Sequence, residues 1–332
     1  KPVARLGKGR TVLPPPESAR TQRYKLRSVI QDITTLERVR KCGRVPHSSG
    51  AVTLRAAADG SRAGVGGLQS CGSVWACPRC SAQIAVRRAE ELGGVLERAD
   101  QAGLRVSLVT FTMRHHKGQR LADLWGGLSY AWGKVTAGKQ WKRDQERLGL
   151  IGWARAAEVT HGASGWHVHV HVAVVSENDP KATDVPLRMF RRWAAGLAAK
   201  GLDTVAECGG FDWQVAAHGD GATIGAYVGK MQTATGLGAE ATLGAWKQAR
   251  RGNRTPFQIA HDLGTTGDLD DIELWWEYEN ASRGKRALTW SKKLREWAKL
   301  GQEQTDEEIA EEEIGDTVHA VIDPESFFCF RA

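Results

Sequence analysis

Residues 166–175 read Trp-His-Val-His-Val-His-Val-Ala-Val-Val. β-Branched residues at every second place dictate a strand, and its period of two sends His167, His169 and His171 to one face. The closing Val-Ala-Val-Val run calls for burial on both faces, so the strand belongs near the middle of a sheet. Three imidazoles beside such a run read in two ways. They are chance polar alternation on a half-exposed strand, or they are ligands, because neutral imidazole is the commonest protein ligand for a divalent cation.

The preceding segment bears on that choice. Ile151-Gly-Trp-Ala-Arg-Ala-Ala-Glu-Val-Thr160 runs into His-Gly-Ala-Ser-Gly, a small-residue turn that returns the chain as an antiparallel hairpin. With Ala163 and Ser164 as the loop, Val159 faces Val168 and Glu158 faces His169, which puts Glu158 on the histidine face. A carboxylate across from one imidazole and near a second supplies three ligands and leaves positions open, as a catalytic metal requires. Register decides the matter, since a slip of one residue turns Glu158 to the opposite face.

The 332 residues are enough for about two domains, and 41% hydrophobic with 25% charged residues is ordinary for a globular chain. The charge is not ordinary. The formal net charge is +8, and Gln302–Asp316 holds eight acids without a Lys or Arg, so the remainder carries +16. Such asymmetry points to a polyanionic partner, nucleic acid above all, and to an acidic tail. The N-terminal stretch has basic residues and Pro14-Pro15-Pro16 but no apolar core of a signal peptide, and no apolar run approaches bilayer length. Six cysteines in so long a chain are no disulfide framework, and four of them cluster, so a reducing cytoplasm with metal-bound thiolates is expected, and no membrane partner.

Residues 1–41 read as a basic arm followed by a helix over 24–41. The next segment, 42–100, is Cys-rich. In Cys71-Gly-Ser-Val-Trp-Ala-Cys77-Pro-Arg-Cys80, a Cys-x-x-Cys knuckle brings two thiolates to one tetrahedral ion, and Cys71 and Cys42 complete a four-thiolate structural zinc site, with His47 the alternative to Cys42. A redox pair is the rival, but it wants a thioredoxin-like context that is missing here. Ser81 is placed to cap a helix over 82–99, with Ile84, Arg88, Leu92, Val95 and Ala99 at helical spacing. Beyond it the pattern predicts a strand over 105–113, one long helix over 120–147 with a Leu and Trp stripe, and the hairpin. A helix over 185–200 follows, packed through Leu187, Phe190, Trp193 and Leu197, then strands near 203–207 and 211–216, and a helix from about Asp220 to Gln232. The fold class is α+β, a central antiparallel sheet with flanking helices plus a small Cys-rich zinc-binding segment. The sheet domain is assigned to 101–235. The remainder, 236–332, reads as a basic and aromatic region whose segments 246–257 and 283–297 suit either a nucleic-acid surface or ordinary solvated helices.

On the 220–232 helix, Tyr227 and Lys230 are three residues apart and share a face. A phenol of ordinary pKa about 10 is a poor nucleophile; a cation one turn away favours the phenolate and a nearby metal polarises phosphorus. Taken alone, a Tyr on an apolar helix is more often core than catalytic.

Together these residues resemble the rolling-circle replication initiators of bacterial plasmids, members of the His-hydrophobe-His (HUH) endonuclease superfamily, and are most similar to those of actinobacterial plasmids. The resemblance runs from about Arg38 to Glu313, through the cysteine block, Leu108-Val-Thr-Phe-Thr-Met113, His167-Val-His-Val-His171, Tyr227-x-x-Lys230 and Arg254-Thr-Pro-Phe257. It implies that His169 and His171 bind Mg²⁺ or Mn²⁺ with Glu158 as third ligand. It counts His167, the first His of the longer pattern, with this metal group in a supporting role. It implies further that Tyr227 attacks a phosphodiester of single-stranded or hairpin-extruded origin DNA, leaving a 5′-phosphotyrosine and a 3′-hydroxyl primer. Host helicase and polymerase are the implied partners. Relatives with one nucleophilic Tyr often carry an acid one turn before it; here that place holds Thr223 or Ile224, and Asp220 is the nearest acid on the helix.

Two rival readings remain open on the residues. The His-Val alternation also fits a histidine-triad nucleotide hydrolase or transferase, with His169 as nucleophile. A non-enzymatic zinc-containing DNA-binding protein would explain the charge and the cysteines.

Overall fold

The computed structural model describes residues 19–47, 50–57, 63–217, 253–312 and 317–329. The N-terminal helix α1 (Ala19–Ile33) buries Leu26 and Ile30, one turn apart. The expected single helix over 24–41 is broken at Thr34-Thr35, and a short α2 (Glu37–Lys41) follows. The break has a physical cause: the buried Glu279 carboxylate accepts hydrogen bonds from the Thr34 hydroxyl at 2.6 Å and from the Thr35 amide and hydroxyl at 2.7 Å each. Strands β1 (Val52–Ala56) and β2 (Ala63–Gly66) form a small hairpin.

Helix α3 (Pro78–Gln101) starts earlier than expected. Its N-cap is Cys77, with Pro78 supplying the pre-set first turn, and Ser81 is buried inside the helix instead of capping it. Strand β3 (Arg105–Thr112) matches expectation. The long helix expected over 120–147 is two, α4 (Leu121–Val135) and α5 (Gly138–Leu148), because Ala137 is extended and the Thr136 hydroxyl closes the first helix on the Trp132 carbonyl. That break lets Trp141 and Leu148 turn back into the core.

Strands β4 (Leu150–Gly162) and β5 (Gly165–Ser176) make the hairpin, and α6 (Val185–Ala198) follows. This helix is rotated from expectation: it buries Val185, Met189, Trp193 and Leu197, while Leu187 is 50% exposed. Of the two short strands expected next, only β6 (Phe211–Val215) forms; residues 206–208 are a turn of 3₁₀-helix. The helix expected over 220–232 lies outside the described residues. Beyond it come α7 (Pro256–Thr266), α8 (Leu269–Ser282), β7 (Leu288–Trp290), α9 (Lys292–Trp297), α10 (Asp306–Glu311), β8 (Thr317–Ile322) and α11 (Pro324–Cys329).

The fold is α+β, with two antiparallel sheets flanked by helices. The main sheet has the order β6-β3-β5-β4-β7, so the Val-His strand is central, and the small sheet has the order β2-β1-β8. One face of β5 sends Val168, Val170, Val172 and Val174 against α4 and α6, where Trp193 is fully buried 5.3 Å from Phe111. The other face places Ala173 and Val175 under α3, through Leu92, Val95 and Leu96, and continues into the histidines. Loss of a buried aromatic such as Trp193 costs about 3–5 kcal/mol, so this packing holds the sheet in place.

The 283–297 segment is not an open aromatic surface. Leu288 and Trp290 extend the main sheet by pairing with Ala156 and Ala154, and Trp290 is 8% exposed with Arg295 over its ring. The described part of the acidic stretch, up to residue 312, is docked as well: Thr305 and Glu308 form a capping box, and Ile309 and Ala310 are fully buried. Arg88 of α3 meets Glu303 and Asp306 at 3.6 and 3.2 Å.

Candidate active site and metal centres

The hairpin register is Val159 opposite Val168 and Glu158 opposite His169. Directly opposed antiparallel residues share a face, so the carboxylate and the imidazoles converge. Glu158 Oε2 lies 3.0 Å from His169 Nε2 and 3.5 Å from His171 Nε2, and one ligand atom from each residue falls within 4.8 Å of the others. All three side chains are at most 15% exposed.

Adjacent strand β3 completes the arrangement. Thr110 pairs with His171, and its hydroxyl lies 3.0 Å from His171 Nδ1, which turns Nε2 toward Glu158. Thr110 escaped the sequence reading, although the Thr alternation in Leu108-Val-Thr-Phe-Thr put it on this face.

Electrostatics suit a cation. Burial pushes the Glu158 pKa up, but hydrogen bonds and charge from His169 and His171 overcome it and hold the carboxyl well below its usual range. Burial depresses His171 against the pull of Glu158, and burial followed by the neighbouring imidazoles brings His167 down to about 3. Burial thus disfavours the charged imidazole at His171 and His167, and a cation beside Glu158 could take the place of the ring protons. His169 Nδ1 is buried without a hydrogen-bond partner among the described residues. Two nitrogens and a carboxylate oxygen, converged and partly desolvated, are a donor set able to hold a divalent cation with open positions.

His167 lies one step outward. Its Nδ1 is 3.3 Å from His115 Nδ1, and the rings of His115, His167, His169 and His171 run in a row with successive centroids 4.8, 4.8 and 4.6 Å apart. Sequence reasoning missed His115, which follows β3 in a basic run with no pattern of its own. Tyr227, Lys230 and Asp220 lie outside the described residues.

The second centre is sulfur. Cys42, Cys71, Cys77 and Cys80 are all buried, and the Sγ pairs 42–77, 42–80 and 71–80 are 3.7, 3.6 and 3.7 Å apart. A disulfide has sulfurs about 2 Å apart, whereas a tetrahedron with 2.3 Å metal–sulfur bonds has edges of about 3.8 Å. The spacing therefore fits four thiolates around one ion. Cys42, brought in from the end of α2, fills the place for which His47 was the alternative; the His47 amide instead bonds the Gly67 carbonyl. Trp75 inside the knuckle packs edge-on to Trp125 at 5.6 Å and donates its Nε1–H to the Lys285 carbonyl at 2.7 Å.

Residues 68–179, from the cysteine knuckle through the histidine strand, match the family model described as "Replication protein". A protein of Streptomyces lividans called "Protein rep" is 30% identical over 314 residues, covering 75% of this chain and 67% of that protein. A "Neomycin resistance protein" of Streptomyces cyanogenus is 35% identical over 134 residues, 33% of this chain and 31% of its own length. No solved structure matches the chain. The matched block contains Glu158, His169, His171 and three of the four cysteines, and with likeness to the Streptomyces lividans protein extending well beyond it, this chain belongs to the Rep family of replication proteins of actinobacterial plasmids.

Proposed function

We propose that this protein initiates rolling-circle replication by nicking one strand of the plasmid origin, with Tyr227 as the nucleophile and the Glu158–His169–His171 cluster as its metal site. Two observations support the reading: the shared approach of Glu158 Oε2 to both imidazoles on a buried sheet face, and membership of a replication protein family. Of these, the convergence on Glu158 carries it.

A divalent ion held there would draw negative charge off the phosphate oxygens and so ease attack at phosphorus. Two imidazoles with one carboxylate form a softer set than the oxygen shell Mg²⁺ takes, which favours Mn²⁺ of the two. Glu158 and His169 hold the site from opposite strands of one hairpin, and Thr110 fixes the orientation of His171. In the reaction the Tyr227 oxygen bonds the phosphorus, the 3′-oxygen leaves as the primer hydroxyl, and the bond energy is kept in the phosphotyrosine. Lys230, one turn on, steadies the phosphate charge, and Asp220 takes the proton when the link is resolved. The four-cysteine centre holds zinc in a structural role, since its four thiolates leave no open position.

The test is incubation of end-labelled single-stranded origin DNA with the protein and Mn²⁺, read as a covalent protein–DNA species on a denaturing gel. Wild type forms the adduct; Tyr227→Phe, His169→Ala and added EDTA abolish it. An adduct that survives Tyr227→Phe removes the tyrosine from the mechanism. Metal-independent turnover of small nucleotides that depends on His169 would hand the site to histidine-triad chemistry.

A further inference from the structure

The loop that follows β3, residues 113–120, reads Met-Arg-His-His-Lys-Gly-Gln-Arg and is basic along most of its length. It is held at several points. The Arg114 amide bonds the Asp203 carbonyl at 2.9 Å, and the His116 amide bonds Gln119 Oε1 at 2.9 Å. At its far end the Leu121 amide bonds Glu277, whose other oxygen accepts from Trp166 Nε1, both at 2.7 Å. The loop also lies on the tip of the β4–β5 hairpin: a Cβ on Gly165, at φ +88°, would come within 3.2 Å of the His116 carbonyl oxygen. The positive φ favours glycine at this position, and the hairpin tip and the basic loop are seated together.

Between this loop and residues 201–203 runs a groove of about 320 Å³, lined by Arg114, His115, His116 and Gln119 on one side and Leu202 and Asp203 on the other. His115 joins it to the metal cluster, because the His115 ring is two ring spacings, of 4.8 Å each, from that of His169.

We propose that this groove is the seat of the single-stranded DNA next to the phosphodiester at the metal cluster, with Arg114 and Lys117 on flanking phosphates. The proposal rests on the nicking reading above and adds where the strand lies. The groove brings cationic and polar side chains together beside the cluster. Arg114 is paired with Asp203 at 3.3 Å, both side chains 64% exposed, and a surface pair of this kind is weak enough for a phosphate to replace the carboxylate.

The test is fluorescence anisotropy with a labelled single-stranded oligonucleotide of mixed sequence, without added divalent metal so that no chemistry intervenes, over a range of salt. Removing one cation–phosphate interaction with a single strand lowers the slope of log K against log salt by about 0.7, so Arg114→Ala with Lys117→Ala lowers it by about 1.4. His115→Ala weakens binding by removing one wall of the groove. Asp203→Asn tightens binding by removing a like charge from the groove. Arg114 and Lys117 are exposed, so the double variant folds as wild type does. Affinity and slope unchanged in that variant overturn the proposal. If wild type meanwhile forms its Mn²⁺-dependent adduct, the nicking reading stands without it; a slope change with no wild-type adduct leaves a DNA-binding groove and removes the nicking reading.

Discussion

Thr110→Val isolates the part of the candidate site that no ligand-deleting substitution can test. For His171 to offer its Nε2 lone pair toward Glu158, the ring proton must sit on Nδ1, and Thr110 Oγ1, 3.0 Å away, is the group that accepts it. Valine keeps the β-branched shape that suits the middle of a strand and removes the acceptor alone. Loss of such an orienting partner typically costs 10- to 100-fold in metal affinity. That range corresponds to about 1.4 to 2.8 kcal/mol at the metal. Calorimetric titration with Mn²⁺ measures the affinity directly, and the Mn²⁺ concentration for half-maximal adduct formation gives a second reading. The variant should need 10- to 100-fold more metal and approach wild-type adduct yield at saturation, and Thr110→Ser should restore most of the affinity. Wild-type affinity in Thr110→Val would show that the hydroxyl does not orient His171, and the tautomer argument would fail.

The remaining expectations concern stability and the sulfur centre. Cys80→Ser should abolish one equivalent of bound zinc, measured by elemental analysis of purified protein, and lower the unfolding midpoint, because metal binding free energy at a structural site is folding free energy. Zinc retained at full stoichiometry would refute the four-thiolate assignment. Gly196→Ala should destabilise by about 1 to 3 kcal/mol in urea, since its Cβ would lie 2.7 Å from Ala131 Cα where α6 crosses α4. Burial, then the positive charge of Arg254, depresses the His161 pKa below 6.5. The unfolded chain therefore takes up that proton before the folded protein does, so the His161 contribution is complete above about pH 6.5 and is lost as pH falls below it. His161→Asn should flatten this acid-side fall in urea midpoints, and an unaltered pH profile would contradict the assignment.

The hairpin and its register were legible because strand alternation and a five-residue turn together leave one pairing that buries Val168 against Val159. Glu158 came with that register. The four cysteines were legible from spacing, since Cys77 and Cys80 need a third and fourth thiolate and Cys71 and Cys42 were at hand. What escaped was set by tertiary context. The Leu and Trp stripe over 121–135 gave no sign of the stop at Thr136, which depends on Trp141 and Leu148 returning to the core. Strand β7 is three residues inside a basic run and exists because Ala154–Ala156 offer an edge to pair with. The eight acids of 302–316 hid the pair Ile309-Ala310, whose apolar side chains anchor α10. Leu187 fitted the helical stripe but points outward, because Met189 and Trp193 set which face of α6 meets the sheet.

The docking of α10 has a bearing on how the chain is made. Cys42, Cys71, Cys77 and Cys80 have all left the ribosome long before Ile309 and Ala310 arrive to cover them, and the Arg79 guanidinium and Ser70 hydroxyl wait for the Ala310 carbonyl over the same interval. At about 5 to 20 residues per second, the 230 residues between Cys80 and Ala310 take roughly 10 to 45 seconds to translate. For that time the cysteine segment lacks its apolar flank, and β1 has no β8 to pair with. A chain released before residue 310 would therefore leave the flank of the cysteine cluster exposed to other nascent chains.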